Sequence, residues 1–268
     1  MIHGAPRSGT SWLGQIVNSS PRVAYRFQPL FSYAFKDRLG PDSGREEIER
    51  FLDDLSASDD DFLLQRDQVA RGAYPVFLKD PVPTHLAMKH VRYHHVLENL
   101  IRRIPDRVRV VGIVRHPCAV LSSWLKAPKE FHPGWDPAAE WRRAPSKNLG
   151  RPEEYYGFEK WKEVAELFLR LAGRYPDHFL LVRYAALNRD PAAGTARLFD
   201  FCGLDVEPQT TAFLEESRSR THPDANAVFR ENNDDGKWRG DLDPAIAAEV
   251  MEELAGTPLE TFLEEAGA

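Results

Sequence analysis

A chain of 268 residues with 42% hydrophobic and 28% charged side chains is long enough for one sizeable α/β domain and only marginally long enough for two. No apolar run approaches the roughly 20 residues that span a bilayer, so no membrane partner is expected. A formal net charge of −6 speaks against the broad basic face that nucleic-acid binding needs, so no nucleic-acid partner is expected and any anion site must be local.

The chain opens on Met1-Ile2-His3 without a basic and apolar leader, which makes the cytoplasm the expected location. These residues read as a strand clipped short, so a natural start upstream, or a trimmed one, is expected. Gly4 to Ser11 then nearly spells the phosphate-cradling pattern of Gly, four residues, Gly, Lys and Ser or Thr, with Thr10 where the lysine belongs. A helical pattern follows at Leu13, Ile16 and Val17. Between strand and helix, the backbone N–H groups of Arg7 to Ser11 would point at an anion, reinforced by the helix dipole. Without the lysine that reaches the β and γ phosphates, a long polyphosphate loses its main counter-charge. Arg7 offers a planar fork of donors for a single phosphate and whatever it carries. The plainer alternative is a turn with a capped helix.

Residues 40–72 are acidic and poorly periodic, and Asp59-Asp60-Asp61, like Asp234-Asp235 later, reads as a solvated turn. Three near-continuous apolar runs, Pro75 to Lys79, Val108 to Val114 and His178 to Val182, read as buried parallel strands. Helical spacing marks His90 to Arg103 and, most clearly, Phe158 to Ala172. Arg115 falls at the carboxyl end of a strand and Pro117 opens a helix that carries Ser122 and Ser123. Ligands of open α/β sheets sit at the carboxyl ends of strands, so Arg115 faces the same crevice as the opening loop. An arginine paired with a carboxylate, beside a capping serine, is the plainer alternative. Residues 127–157, rich in Pro, Gly, Trp and Tyr, read as an insertion that covers substrate. Asp190, Pro191 and Gly203 bracket a further helix, and Asp243-Pro244 opens the last, running to about Leu254. Cys118 and Cys202 lie in apolar patterns and read as buried, structural residues. Strands alternating with helices give a doubly wound α/β sheet, read as one domain over residues 1–268.

At these residues the chain resembles a known family. Pro6-Arg7-Ser8-Gly9-Thr10-Ser11-Trp12 is similar to the 5′-phosphosulfate loop of the sulfotransferases that use 3′-phosphoadenosine 5′-phosphosulfate (PAPS). Arg115 followed by Ser123 resembles that family's 3′-phosphate motif. Residues 180–204 resemble its later strand, Arg-Tyr segment, helix and Gly-Leu, and Lys237-Trp238-Arg239-Gly240 resembles the basic motif that closes over the 3′-phosphate. Arg7 and the stretch from Pro21 to Phe35 look closer to carbohydrate-type and bacterial members than to the cytosolic phenol and steroid enzymes.

The resemblance implies a P-loop-like three-layer sandwich with a central parallel sheet, PAPS as donor, PAP as product, no metal, and a hydroxyl or amine of a small molecule or carbohydrate as acceptor. It implies Arg7, Ser8, Gly9, Thr10, Ser11 and Trp12 at the donor's 5′ side. Arg115, Ser123, Lys237, Trp238 and Arg239 go to the 3′-phosphate and Tyr184 to the nucleotide pocket, with Trp12 and Tyr184 equally readable as core aromatics. The base is where this chain departs from its relatives. Cytosolic members carry Lys-Thr-His after the strand placed here at Phe77-Leu78, and this chain reads Lys79-Asp80-Pro81. Carbohydrate-type members place Glu before Pro where this chain has Gln28-Pro29. Asp80 is therefore the first expected base, with Lys79 polarising the bridging oxygen and His85 and His132 in reserve. Gln28, Phe31, Phe131 and Trp135 are expected at the acceptor, within an aromatic set that also includes Phe27, Tyr33, Trp141, Tyr155 and Tyr156. Arg142, Arg143 and Lys147 are placed to steer an anionic acceptor. A P-loop kinase and a nucleotide-binding module without catalysis are the competing readings.

Overall fold

Five short strands align in parallel into one sheet of order β2-β3-β1-β4-β5, where β1 is Ile2–His3, β2 Val23–Phe27, β3 His85–His90, β4 Val110–Val114 and β5 Phe179–Arg183. The computed structural model describes residues 1–224, 227–231 and 234–263. In register, Ile2 lies between Lys89 and Val111, so β1 runs down the middle of the sheet. The sequence of β4, Val-Val-Gly-Ile-Val, is wholly buried, as a strand covered on both faces requires.

Alternate strand residues feed two apolar clusters. Val110 and Val114 join Leu97, Trp161 and Phe168 on one face, while Val111 and Ile113 join Trp12, Leu13, Phe199 and Phe213 on the other. Helices over both faces complete the three-layer sandwich. The Phe158–Arg174 helix presses so closely on the sheet that a Cβ at Gly112 would meet Phe168 at 2.7 Å. The Pro191–Cys202 helix has Asp190 accepting from the Ala193 N–H at 2.9 Å and ends on Gly203 at φ +69°, as its sequence predicts. The last helix, Pro244–Leu254, opens on Asp243 in the same way.

Three readings of the chain are corrected. Residues 75–79 are not a strand: Val76 and Leu78 are more than four-fifths exposed, Phe77 packs on Phe213, and Leu78 bonds the side chain of Gln209 rather than a strand. Pro75, Pro81 and Pro83 lack the N–H a ladder uses, whereas β2 and β3 hide behind the polar residues Arg26, His85, Lys89 and His90. The helical reading from His90 starts too early, because β3 runs to His90 and the helix is Leu97–Arg103. Residues 40–72 hold an amphipathic helix, Arg45–Ala57, which buries Ile48, Phe51 and Leu55.

Candidate functional site

Between β1 and the Thr10–Asn18 helix the chain turns sharply enough to exclude side chains. A Cβ at Gly4 would meet Thr10 Cγ2 at 2.7 Å and the Ile113 carbonyl at 2.8 Å. Gly9 holds φ +89°, a conformation that suits glycine, and a Cβ there would strike the Tyr184 ring at 2.6 Å. Arg7 also takes a left-handed conformation, φ +70°. Among the described residues no side chain caps the first turn of this helix, and the hydroxyl of Ser8 is buried without a hydrogen-bond partner. Orphan donors at a helix start and a buried, unpaired hydroxyl are what a bound phosphate would satisfy.

The loop opens on a cavity of about 830 Å³ at the carboxyl ends of the strands, lined by seven cationic side chains and four carboxylates. Arg7 Nε donates to Ser123 Oγ at 3.0 Å, and its Nη1 lies 3.5 Å from Glu130 Oε1. Arg115 donates from Nε to Asp235 Oδ1 at 2.6 Å and from Nη1 to the Arg7 carbonyl at 3.1 Å, with its guanidinium 4.7 Å from the Tyr184 ring centre. The Asp235 side chain is 1% exposed, so it is a buried counter-ion and not the solvated turn that its sequence predicts. The plainer reading of Arg115 as an ion-pair partner thus holds as well.

At the end of β3, the buried Lys89 ammonium lies 4.6 Å from the Phe27 ring centre. Burial first, then Arg92 and Arg7, bring its pKa down from 10.5 to about 7, against the pull of Glu130. Arg92 pairs with Glu154 at 2.8 Å, stacks over Phe31 at 4.3 Å and donates to Gln28 Oε1 at 3.4 Å. Below these groups His3, His90 and His94 form a buried cluster, with His3 Nδ1 and His94 Nδ1 3.1 Å apart. Desolvation is the main cause that lowers the pKa of each.

Of the residues expected at the site, Arg7, Gly9, Thr10, Ser11, Trp12, Gln28, Arg115, Ser123, Tyr184 and Lys237 line this cavity. Trp12 is fixed by a 3.1 Å bond from Nε1 to Ser217 and by edge contact with Tyr184. Trp238 stacks on His116 with 4.9 Å between centroids, and Arg239 lies over the same indole. Phe31 is half exposed against Arg92, and Tyr156 also lines the cavity. Phe131 and Trp135 pack against each other at 5.5 Å, Phe131 is buried on Trp124, and neither lines this cavity. Arg142 is held by Glu159, Glu249 and Glu253.

Lys79, Asp80 and His85 are not brought to this cavity. Lys79 Nζ donates to Asn18 Oδ1 at 2.8 Å and to the Ser20 carbonyl at 3.1 Å, and burial lowers its pKa to about 8. The exposed Asp80 donates its backbone N–H to Pro21. His85 is the first residue of β3, bonded to Thr84 at 2.8 Å. At the rise of a strand, His85 lies about 13 Å from Lys89 along β3. His132 accepts from the Gly134 N–H in a turn. With the strand at 85–90 and not at 75–79, the strand-end lysine that lines this cavity is Lys89 and not Lys79. Lys89, Arg92 and Glu130 went unread, although the run Leu86-Ala87-Met88 ending in Lys89 is the signal for a strand that delivers a cation.

Comparison with known proteins places this geometry. The Sulfotransferase family model matches residues 1–208. The chain belongs to the Sulfotransferase family. It is 23% identical to mouse carbohydrate sulfotransferase 3 over 320 residues, covering 98% of this chain and 67% of the relative. Human carbohydrate sulfotransferase 3 is also 23% identical, with 98% and 66% covered. The chain thus spans about two thirds of the length of these curated relatives. Among solved structures, mouse sulfotransferase SULT7A1 complexed with PAP superposes with a TM-score of 0.54 at 15% identity, covering 98% of this chain and 86% of the other. Retinol dehydratase with retinol and PAP gives 0.57 at 16%, covering 96% and 81%. These likenesses establish the P-loop-like sandwich for this sulfotransferase chain. No helix among the described residues is long and apolar enough to cross a membrane.

Proposed function

We propose that this chain moves the sulfonate of PAPS to a hydroxyl or amine of a carbohydrate or small molecule and releases PAP. The observation that carries the reading is the meeting of Arg7, Lys89 and Arg115 on an uncapped helix start, in a chain whose net charge is −6. The names of its curated relatives support a carbohydrate acceptor. Arg7, the Ser8 hydroxyl and the loop amides would hold the 5′ phosphate, and Arg115, Ser123 and Lys237 the 3′-phosphate, with Trp238 and Arg239 behind them. Lys89 would supply positive charge to the oxygen that leaves, in a site dry enough for that charge to count. Gln28 and Phe31 would meet the acceptor. We read residues 1–268 as one domain, and 127–157 as the cover that brings Glu130 and Tyr156 to the cavity. A cytoplasmic setting belongs to the same proposal.

Calorimetry tests the donor. Binding of PAP with none of ATP is the expected result, and the reverse preference would falsify the reading in favour of a kinase. Incubation with PAPS and a panel of sugars, phenols and amines, read by mass spectrometry, should yield a sulfonated product. Binding without any product would instead describe a nucleotide-binding module.

A further inference from the structure

The two bases that the resemblance implies are absent from this chain, Asp80 and His85 lie outside this cavity and His132 is exposed in a turn, so the acceptor's proton needs another destination. Four carboxylates line the cavity. Asp61 is committed to Arg66 and its side chain is 76% exposed. Asp67 is exposed, and Asp234 is an exposed residue that accepts from the Gly236 N–H. Glu130 differs from all three. Its side chain is 24% exposed, its Oε1 lies 3.5 Å from Arg7 Nη1, and its Oε2 is buried without a hydrogen-bond partner among the described residues. A carboxylate oxygen kept dry and unpaired beside the residue that would grip the donor is placed to accept a proton.

We propose that Glu130 is the general base of the transfer, an inference that rests on the donor reading above. The acceptor oxygen forms the new bond to sulfur while the bond from sulfur to the bridging oxygen breaks, and that electron pair leaves on the 5′-phosphate of PAP. The acceptor's proton passes to Glu130 Oε2 and then to water. No electron changes hands. The fold supports the placement: Glu130 sits in a turn closed by its N–H to the Ala127 carbonyl at 2.8 Å, directly after the helix that carries Ser123. Arg7 therefore touches the chosen base and the 3′-phosphate serine through one guanidinium. The charged and titratable groups around Glu130 are Arg7, Lys89, Arg92, Lys147 and Tyr156.

Glu130→Gln tests this on the full chain, with the best acceptor from the panel. Turnover should fall by about 10²- to 10⁴-fold and the acid limb of its pH profile should flatten. PAP affinity should stay level or tighten, because Arg7 loses a competing carboxylate. Turnover within tenfold of the parent, a retained acid limb, or PAP bound more than tenfold more weakly would each overturn the proposal. So would an acid limb abolished by Lys89→Met in place of Glu130→Gln. If the glutamine variant does not fold, Glu130→Asp decides: a carboxylate drawn back by one methylene should keep the acid limb and lose turnover at least tenfold, and full turnover overturns the assignment. A parent chain that binds PAP but loses nothing in these variants refutes Glu130 alone, whereas one that binds no PAP refutes the sulfotransferase reading first.

Discussion

Two cavities of nearly equal volume open at opposite ends of the sheet, about 810 Å³ at the amino ends of the strands and about 830 Å³ at the carboxyl ends. Both contain basic side chains, and what those side chains touch separates them. At the amino end, Arg26 donates to the carbonyls of Leu55, Tyr25 and Ser56, Arg109 to those of Pro105 and Val108, and Lys79 to Ser20. Those donors are committed to the chain's own backbone and serve the fold. At the carboxyl end, Arg71, Arg115 and Arg230 each give one bond to a carbonyl, but Arg7, Lys89, Arg92 and Arg115 otherwise rest on aromatic faces, a serine hydroxyl, an amide oxygen and a few carboxylates, beside an uncapped helix start. Cavity size does not mark a site; the chemistry left to the cations does.

The contrast is broken first at Lys89. Lys89→Met should lower turnover by about 10²- to 10³-fold, the cost of losing one preorganised charge at a developing anion. Steady-state kinetics with the best acceptor checks it, and an unchanged rate would strip the carboxyl end of its chemical role. Arg115→Ala should weaken PAP binding by about 1.5–3 kcal/mol, the worth of a hydrogen bond to a charged group, as read by calorimetry.

Stability against pH offers a subtler test. Lys89 has a folded pKa of about 7 against 10.5 when unfolded, so between those values the unfolded chain binds more protons and folding stability should rise with pH. Urea unfolding of the parent and of Lys89→Met should show this rise shrinking in the variant, and a parallel pair of curves would contradict the buried amine. The smallest effect is expected at the other end, where Asp80→Asn should leave turnover within about twofold, since an exposed carboxylate remote from the donor loop contributes little. A tenfold loss would return the chemistry to the amino end.

Much of this was legible in the residues. The loop from Gly4 to Ser11, the Arg115 and Ser123 pair and the late Lys237 segment converge as their order predicts, because each sits beside a strand or helix with a clear apolar signature. The bracketing of the helix from Pro191 to Cys202 was equally plain. What escaped reading followed from one physical confusion. Val76-Phe77-Leu78 is apolar yet runs along the surface between prolines, while β3 carries histidines and a lysine at its ends. Apolar content stood in for burial, and the misplaced strand set the expected base outside the cavity at the carboxyl ends. Glu130 was hidden for another reason: a single glutamate in a turn shows nothing in sequence of the arginine that folding sets 3.5 Å away.

The ion pair of Arg115 with Asp235 joins residues 120 apart in the chain. Asp235 is buried beside the very guanidinium that would hold the nucleotide's 3′-phosphate, so an incoming phosphate must share that cation with a resident anion. On the proposed reading, the pair trims affinity for donor and product alike. For an enzyme that must shed PAP after every cycle, a built-in competitor at the grip shortens residence and keeps release from throttling turnover.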